Sequence, residues 1–504
     1  MAIFTVTNLD DSGDGSLRQA IEDTNATAGL DTINFDEEFR GQTITLTSGE
    51  LQITDDLTLE GLGADELTVS GNNSSRVFNV NDGNDSDHID VVIDGLTITD
   101  GFTDERLGGS GIRNSENLTL INSAISGNEG HGISVIDSGL AEVTNSSISG
   151  NAGIGIFLSG FGIANVINST ISGNARSGIN LFFGDVKVTN SIISDNVGGI
   201  DGGKGNITEV TNSIISGNAG LGISLFDFKL DVTNSTVSDN GGRGITLVRT
   251  SADITNSTIS DNGGIGIIAV RSSGADITNS TISGNEGGGL WVGNQGLENS
   301  NAKVTNSTIT GNTTDDGGGG IYVEEDYQLF PNNAEIENTI IAGNFDNSPA
   351  GSDLKPDVSG NFTSSGYNLI GDGTGSTGFD APGDRMGTSK NPIDPLLGPL
   401  QDNGGSTQTH ALLTGSPAID AGNPDFETSP EFDQRGAGFP RVLDGDGDGT
   451  VTVDIGAFEL PSSCELDVDL LGIGGRVFNF DDLSLTQQGD DALIAALDMD
   501  IAIL

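Results

Sequence analysis

Cysteine and aromatic residues are scarce in this sequence. Cys464 is the only cysteine among 504 residues, so no disulfide can form within the chain. Aromatic residues make up 5% of the chain, so few large side chains are available to fill a conventional core. Apolar burial must therefore come from many small aliphatic side chains arranged in repeated layers.

Basic residues are also few. The chain has 19 lysines and arginines against 73 aspartates and glutamates, a formal net charge of −54. Such a charge repels nucleic acid and anionic lipid, so neither is an expected partner. It attracts cations, and calcium prefers carboxylate oxygens, which makes calcium a candidate cofactor. Solubility in salty surroundings is the alternative explanation of the charge.

Long apolar runs are missing. No stretch reaches about 18 apolar residues, so no membrane-spanning helix is expected. The opening residues, MAIFTVTNLDDSGDG, contain neither a basic region nor a long apolar run, and an N-terminal secretory signal peptide is not expected.

Glycine and one repeated segment are abundant instead. The segment is typified by ADITNSTISGNEGGGLWV, which begins at Ala275. Its first asparagine recurs at intervals of 22 to 32 residues, at Asn122, Asn145, Asn168, Asn190, Asn212, Asn234, Asn256, Asn279, Asn306 and Asn338. A second asparagine follows six residues after each of these. A repeat period in the twenties predicts a solenoid.

The aliphatic positions indicate the type of solenoid. In the copy around Asn145, Val143 precedes the asparagine by two positions and Ile148 follows it by three. Residues on one face of a strand are separated by even numbers, so the chain must bend near the asparagine. A further run alternates after the glycines, as in Ile156 and Leu158, and no helical period appears. We therefore predict an all-β fold, a parallel β-helix with coils of about 22 residues.

The fixed asparagines predict interior hydrogen bonding. Equivalent residues of successive coils would lie about 4.8 Å apart, so a buried asparagine could bond to its copies above and below. We assign this ladder to the first asparagine of each copy. The second asparagine is assigned to a left-handed turn position, which asparagine and glycine favour.

One helix is predicted near the start of the chain. Ser16 and Gln19 form a capping-box pattern, and Leu17, Ala20 and Ile21 form an apolar stripe. This helix would cover the open end of the first coil. The chain is accordingly divided into an N-terminal strand and capping helix (1–40), the β-helix (41–345), a region that continues or caps it (346–460), and a C-terminal cap (461–504).

Three segments resemble known families. FTVTNLDDSGDGSLRQAIEDTNATAGLDTINF resembles the opening of secreted bacterial right-handed parallel β-helix repeat proteins. Residues 367–459, with DPLLGPLQDNGGSTQTHALLTGSPAIDAG and DIGAFE, resemble a choice-of-anchor Q domain. The resemblance implies a right-handed, pectin lyase-like coil and an extracellular or cell-surface location, and specifies no reaction. Residues 461–504 resemble C-terminal regions of proteins exported by the type I secretion apparatus, which implies an uncleaved C-terminal signal; a simple β-cap is the alternative.

An acidic loop is the candidate metal site. In DGDGDGTVTVD, Asp444, Asp446 and Asp448 alternate as in the first half of an EF-hand-type calcium loop. Ile455 stands at the usual closing position, and Asp454 comes one residue early. We predict calcium ligation by these four aspartates; a flexible acidic turn is the alternative.

A second acidic feature follows from the stacking. The residue three before the first asparagine is a carboxylate in four consecutive copies, Glu209, Asp231, Asp253 and Asp276. Stacked about 4.8 Å apart, these carboxylates would repel one another, and bound calcium would relieve the repulsion. A solvated face is the alternative.

The predicted role is structural or adhesive: a surface rod that binds extracellular polysaccharide or matrix. Arg249 and Arg271 lie one coil apart, and Trp291 and Tyr322 follow equivalent glycines, so these four are candidate ligand-binding residues. No catalytic residue is assigned, because no nucleophile–base set or paired-carboxylate motif is recognisable. The alternative is a polysaccharide-active enzyme, a lyase or epimerase, in which an arginine could act as the base.

Overall fold

Each repeat folds into one coil made of short strands separated by bends. The computed structural model describes residues 1–84, 87–104, 108–294, 299–315, 317–324, 331–349, 354–424 and 430–461. The proposed secretion signal therefore lies outside the described residues, apart from Pro461. Strands of successive coils stack into columns that we call sheet 1, sheet 2 and sheet 3, in the order in which the chain visits them.

Sheet 1 holds the residues that precede the first asparagine of each copy. Its strands are Ile3–Val6, Asp31–Phe35, Leu57–Glu60, Asp90–Asp94, Asn117–Ile121, Leu140–Thr144, Ile207–Thr211, Lys229–Thr233, Ser251–Thr255, Gly274–Thr278, Asn301–Thr305 and Asn333–Glu337. Sheet 2 follows the first asparagine. Its strands are Gln42–Thr45, Leu67–Ser70, Thr97–Thr99, Ala124–Ser126, Ser147–Ser149, Thr170–Ser172, Ile192–Ser194, Ile214–Ser216, Thr236–Ser238, Thr258–Ser260, Thr281–Ser283, Thr308–Thr310, Ile340–Ile341, Leu369–Ile370 and Arg385–Met386.

Sheet 3 follows the glycines. Its strands are Leu51–Ile53, Phe78–Val80, Gly109–Asn114, His131–Val135, Gly198–Gly202, Ile223–Phe226, Ile245–Val248, Ile267–Val270, Leu290–Gly293 and Ile321–Val323. Three long strands run through the corner from sheet 3 into sheet 1: Ile156–Ile167, Ser177–Thr189 and Val358–Gly366. With the short strand Ser376–Thr377, which pairs with Val358–Gly366, they join sheets 1 and 3 into one 26-stranded sheet, whereas sheet 2 has 15 strands.

The register confirms the parallel β-helix. Val143 pairs with Val166 in sheet 1, Ile148 with Ile171 in sheet 2, and Ile156 with Ile179 in sheet 3, all in parallel. These aliphatic side chains are fully buried. The core is thus a series of stacked aliphatic columns, which explains how a chain with few aromatic residues forms a continuous interior.

The predicted helix is also confirmed. It spans Leu17–Asn25, and Ser16 Oγ accepts a hydrogen bond from Gln19 N at 3.2 Å. Leu17, Ala20 and Ile21 are buried in the main core cluster. One short 3-10 helix, Glu37–Phe39, follows. Within the described ranges, neither helix has the length and hydrophobicity of a membrane-spanning segment.

The assignment of the two asparagines was wrong. The first asparagine of each copy has a positive φ near 50°, and its side chain is exposed in the five copies from Asn122 to Asn212. A left-handed residue at the bend points its Cβ away from the core. Three pairs in this series bond side chain to side chain: Asn190 with Asn168, Asn279 with Asn256, and Asn338 with Asn306.

The interior ladder belongs to the second asparagine. Each of these amides donates from Nδ2 to Oδ1 of the next copy at 2.8–3.1 Å, through Asn128, Asn151, Asn174, Asn196, Asn218, Asn240, Asn262, Asn285, Asn312 and Asn344. The left-handed position predicted for this asparagine is taken by the residue before it, as by Gly150 and Asp195. The ladder satisfies backbone groups that the second bend leaves unpaired.

Serines form a second interior ladder, which the sequence analysis did not identify. The serine after each first asparagine from Asn122 to Asn306 is buried, and the backbone N–H of each donates to the next serine hydroxyl at 3.0–3.2 Å, from Ser123 to Ser307. The bend before sheet 2 and the bend after it therefore each carry an internal hydrogen-bonded column.

The last part of the described chain folds back over sheet 2. Leu397–Gln401 and Thr409–Leu412 form an antiparallel hairpin in this covering segment, residues 396–424 and 430–461. Gln434 is fully buried and fastens the segment to the coils. Its Nε2 donates to Thr258 Oγ1 at 2.9 Å, and its Oε1 accepts from Thr281 Oγ1 at 2.6 Å.

Candidate functional site

A groove with a volume of about 800 Å³ opens beside sheet 3, where the chain enters the strands that begin near His131, Ile156 and Ser177. Glycines at this bend leave its floor without side chains. A Cβ on Gly153 would lie 2.5 Å from the carbonyl carbon of Gly130, so close stacking of the coils requires glycine here. The glycines of the repeat thus form the floor of the groove. Its walls include residues that differ from the repeat consensus, such as His131 and Arg176.

His131 forms part of the groove wall. Its Nδ1 lies 3.0 Å from the backbone N of Ile154, which can only donate, so Nδ1 is the acceptor and the neutral ring carries its proton on Nε2. The ring stacks on Phe157 with centroids 5.2 Å apart. Burial, and then the positive charge of Arg176, lower the pKa of His131 to about 4. His131 is therefore an uncharged hydrogen-bond donor at neutral pH.

Asp201 lies across the same surface. It occupies the outward column of sheet 3 that contains Phe157 and Asn180 on the preceding coils. Burial raises the pKa of Asp201, and the Ser177 hydroxyl, which donates to its Oδ2, opposes that shift. The groove therefore holds a carboxyl group whose charge is costly unless a ligand or a cation approaches it.

Arg176 supplies positive charge at the edge of the groove. Its side chain is exposed, and no carboxylate pairs with it among the described residues. In a chain with 73 acidic residues, a guanidinium without an ion-pair partner is available for a ligand. Asn180, which is partly exposed in the same groove, offers both an amide donor and a carbonyl acceptor.

Together these groups present several donors and acceptors over a long, open surface. Charged and uncharged donors (Arg176, His131) stand near amide and carboxyl acceptors (Asn180, Asp201). A ligand rich in hydroxyl groups can engage both kinds at once. Perturbed titratable groups in a cleft also mark a candidate functional site on physical grounds.

The candidate ligand-binding arginines are stacked but do not form a cleft. Arg249 makes a bidentate contact with Asp227, at 2.6 Å from Nε and 2.8 Å from Nη2, and lies 3.8 Å from the centroid of the Phe226 ring. This pairing neutralises Arg249. Arg271 lies one coil further along and is exposed.

The candidate aromatic residues do meet. Trp291 and Tyr322 pair across adjacent strands, with ring centroids 6.0 Å apart, beside a small cavity of about 100 Å³. They belong to the same outward column of sheet 3 as Asp201, several coils further along. The structure therefore places them on the face that carries the groove, but outside it.

The acidic column has the predicted register. Glu209, Asp231, Asp253 and Asp276 pair consecutively along sheet 1. Lys229 Nζ lies 2.7 Å from Asp231 and 3.2 Å from Asp253. Lys229 thus reduces the repulsion between Asp231 and Asp253, the role that was predicted for calcium.

One group of carboxylates could hold a metal ion. Oxygen atoms of Asp420, Asp444 and Asp446 lie within 4.8 Å of one another. Asp420, which was not predicted, comes from a distant part of the covering segment. The group does not contain the predicted ligands Asp448 and Asp454. Asp454 is buried behind it, where its Oδ1 accepts a hydrogen bond from Asp420 N at 2.7 Å and burial raises its pKa to about 6.

The groove residues were not predicted from the sequence. A usable signal was present for two of them, because His131 and Arg176 are polar exceptions beside glycines in a repeat whose equivalent positions carry Ile154 and Gly153. Asp201 gives no such signal, because equivalent positions such as Asn180 and Ser224 are also polar. Assigning them to one surface required the register between coils.

A family model described as "Right handed beta helix region" matches residues 60–208 and 198–366. No curated protein matches the sequence. The structure is similar to the A-module of mannuronan C-5 epimerase AlgE4 from Azotobacter vinelandii, with 16% identity, 59% of this chain and 93% of that chain covered, and a TM-score of 0.40. It is also similar to tailspike protein 3 of bacteriophage CBA120, with 12% identity, 69% of this chain and 61% of that chain covered, and a TM-score of 0.44. A third similar structure is PfbA, a surface adhesin of Streptococcus pneumoniae, with 11% identity, 82% of this chain and 100% of that chain covered, and a TM-score of 0.35.

Proposed function

The chain belongs to the right-handed β-helix family, whose model covers more than half of it, and we propose that it is an extracellular or cell-surface rod that binds polysaccharide in the groove beside sheet 3. The observation that carries this proposal is the groove of about 800 Å³ with Arg176, Asn180, Asp201 and His131 along it. Its mixture of donors, acceptors and one stacked aromatic pair suits a chain of hydroxylated rings.

The proposal predicts that charge in the groove controls binding. In Arg176→Ala, the dissociation constant for a bound glycan should rise by about tenfold or more, because a hydrogen bond to a charged group contributes about 1.5–3 kcal/mol. Affinity electrophoresis against polygalacturonate, hyaluronan and dextran measures this. Lys187→Ala is the matched control, since Lys187 is exposed on sheet 1 and pairs with Glu209 at 3.0 Å. Equal loss in both variants, or no binding to any of the three glycans by the native chain, would contradict the proposal.

A polysaccharide-active enzyme is the second candidate. It is favoured by one observation: an imidazole that keeps its proton on Nε2 and a carboxyl with a raised pKa line the same groove. Arg249, a candidate ligand-binding residue in the sequence, is paired with Asp227. The same glycans, incubated with the protein and assayed for new reducing or unsaturated ends, distinguish binding alone from cleavage.

Calcium is the ion proposed for the carboxylate group of Asp420, Asp444 and Asp446. Saturating calcium should raise the melting temperature by about 1–4 °C, since binding to the folded state alone stabilises it. Calorimetry with and without calcium measures the shift. Asp420→Asn should abolish it, and the neighbouring Asp448→Asn, outside the group, should retain it. A shift that depends on Asp448 and not on Asp420 would overturn the assignment.

A further inference from the structure

Exposed apolar side chains are concentrated in a short part of the β-helix. Of the seventeen large apolar residues that are exposed in the described part of the chain, eight lie between Phe161 and Ile214. Five of these eight lie at the corner between sheets 3 and 1, on and beside the long strands Ile156–Ile167 and Ser177–Thr189. We call these five residues the apolar corner: Phe161 (67% exposed), Ile163 (39%), Phe182 (56%), Phe183 (37%) and Ile207 (36%).

The apolar corner is one continuous patch. The rings of its two adjacent phenylalanines meet edge to face with centroids 5.0 Å apart, and the ring of Phe161 lies 6.2 Å from that of Phe183. Ile163 pairs with Asp185 on the next strand, and Ile207 N donates to Asp185 Oδ1 at 3.0 Å, so both isoleucines border the same carboxylate. The patch therefore extends from the end of sheet 3 to the start of sheet 1.

Folding does not account for the apolar corner. Phe161 and Phe183 have φ values of 72° and 64°, a left-handed conformation that bulky residues rarely adopt. Later coils place Asp227, Arg249 and Arg271 in this conformation at the same corner. The two phenylalanines thus combine a strained backbone with exposure to water where charged residues serve in other coils. Contact with a partner would explain why they are there.

The coils that carry the apolar corner are almost neutral. Residues 161–249 contain seven acidic and six basic residues, a net charge of −1, whereas the whole chain carries −54. Repulsion between two copies is therefore weakest at this part of the β-helix, provided that the acidic coils on either side diverge. A basic protein would be drawn to those acidic coils instead, and an anionic membrane is repelled by the chain as a whole.

The border of the apolar corner is self-complementary in charge. Asp185 and Lys204 line one cavity of about 280 Å³ at the corner, and within the described ranges neither side chain forms an ion pair. The other carboxylate of this cavity, Asp227, is already paired with Arg249 at 2.6 Å. Across a two-fold axis, Lys204 of one copy can face Asp185 of the other, and the contact then occurs twice.

The size of the apolar corner matches what a dimer needs. With about 200 Å² for a large apolar side chain, the five residues expose roughly 450 Å². An interface of standard size buries about 800 Å² per partner, of which about 450 Å² is non-polar. An apolar patch of this size, rimmed by polar residues, is typical of an interaction site.

We propose that the apolar corner is the interface of a homodimer, in which two copies of the chain cross and pack Phe161, Phe182 and Phe183 against the same residues of the other copy. The apolar contact supplies the affinity, and the two contacts between Lys204 and Asp185 fix the register. The inference does not depend on the proposed glycan binding, although a dimer presents two grooves to a repeating ligand.

Sedimentation equilibrium of the full chain measures the association. The native chain should form a dimer with a dissociation constant of about 1–100 μM, and Phe161→Asn/Phe183→Asn should raise that constant about tenfold or more. Asparagine accepts the left-handed conformation, so the double variant should keep the native melting temperature. Phe345→Ala, which removes a 57% exposed ring on a distant coil, is the matched control and should leave the constant unchanged.

Charge and salt give two further measurements. Lys204→Glu should weaken the dimer about tenfold, because it places like charges opposite each other. Lys390→Glu makes the same change in net charge on an exposed turn away from the corner and should have no such effect. Raising the salt concentration from about 20 to about 300 mM should tighten the native dimer, because salt screens the repulsion between the chains and leaves the apolar contact intact.

The outcomes are distinct. A native chain that stays monomeric up to about 1 mM overturns the proposal. A dimer that the double variant leaves intact, or that Lys390→Glu weakens as much as Lys204→Glu, contradicts an interface at the apolar corner. A dimer that weakens with added salt contradicts an apolar contact between like-charged chains. A monomeric native chain whose retention on polygalacturonate is lost in the double variant would assign the corner to a glycan instead.

Discussion

Asn218→Ala should lower the free energy of unfolding by about 3 kcal/mol. The Asn218 amide is fully buried, donates to Asn240 Oδ1 at 2.9 Å and accepts from both the backbone and the side chain of Asn196 at 3.1 Å. Its removal leaves several buried donors and acceptors without partners, and each such group costs about 1–3 kcal/mol. Urea unfolding followed by circular dichroism measures the change.

The control lies six residues earlier in the same coil. Asn212 belongs to the first series, has a φ of 49° and is exposed, so Asn212→Gly keeps the backbone conformation and removes no interior bond. The change in free energy should stay below about 1 kcal/mol, the cost of the extra backbone freedom of glycine in the unfolded chain. If Asn212→Gly destabilised the protein more than Asn218→Ala, the series of first asparagines, and not the second, would be the structural ladder.

Gln434→Ala should release the covering segment from sheet 2. The buried side chain of Gln434 also donates to Thr407 Oγ1 at 3.0 Å and to the backbone oxygen of Gln408 at 3.1 Å, besides its bonds to Thr258 and Thr281. Loss of these bonds should lower the free energy of local opening by about 3 kcal/mol, because partners on both sides are left unsatisfied. Cleavage within residues 396–461 by a non-specific protease should therefore be roughly 100-fold faster.

Gln401→Ala provides the comparison for that experiment. Gln401 is exposed in the hairpin of the same segment, and among the described residues its side chain bonds only to nearby Asn403. Its loss should leave the cleavage rate within about twofold of the native rate. A covering segment equally resistant in Gln434→Ala and Gln401→Ala would mean that apolar contacts, such as those of Phe458 and Ile455, hold it without the glutamine.

The sequence predicted the coil but misplaced its internal ladder. Period and parity determine which aliphatic residues face inward, and Val143 and Ile148 lie where these rules place them. The parity change at Asn145 locates a bend without specifying which residue takes the left-handed conformation. Both asparagine series are equally constant, so only the backbone torsions show that Asn145 points outward and Asn151 inward.

The candidate site was harder to predict, for a different reason. Its residues come from successive coils and share no linear motif, so His131, Arg176 and Asp201 meet only when the register is known. The carboxylate group shows the same limitation, since Asp420 joins Asp444 through the fold of the covering segment. The EF-hand-like spacing pointed to two of its members, Asp444 and Asp446, and also to Asp448 and Asp454, which lie outside the group.

Hydrogen–deuterium exchange with the native chain, with and without polygalacturonate octamer, tests the central claim most directly. The account predicts slower exchange in the bends and strands that border the groove, at residues 129–134, 152–160, 176–184 and 197–206. Residues 229–233 and 251–255 of sheet 1, on the lysine-paired acidic column, should exchange at unchanged rates. Protection centred on that column, or no protection anywhere, would contradict glycan binding at the face of sheet 3.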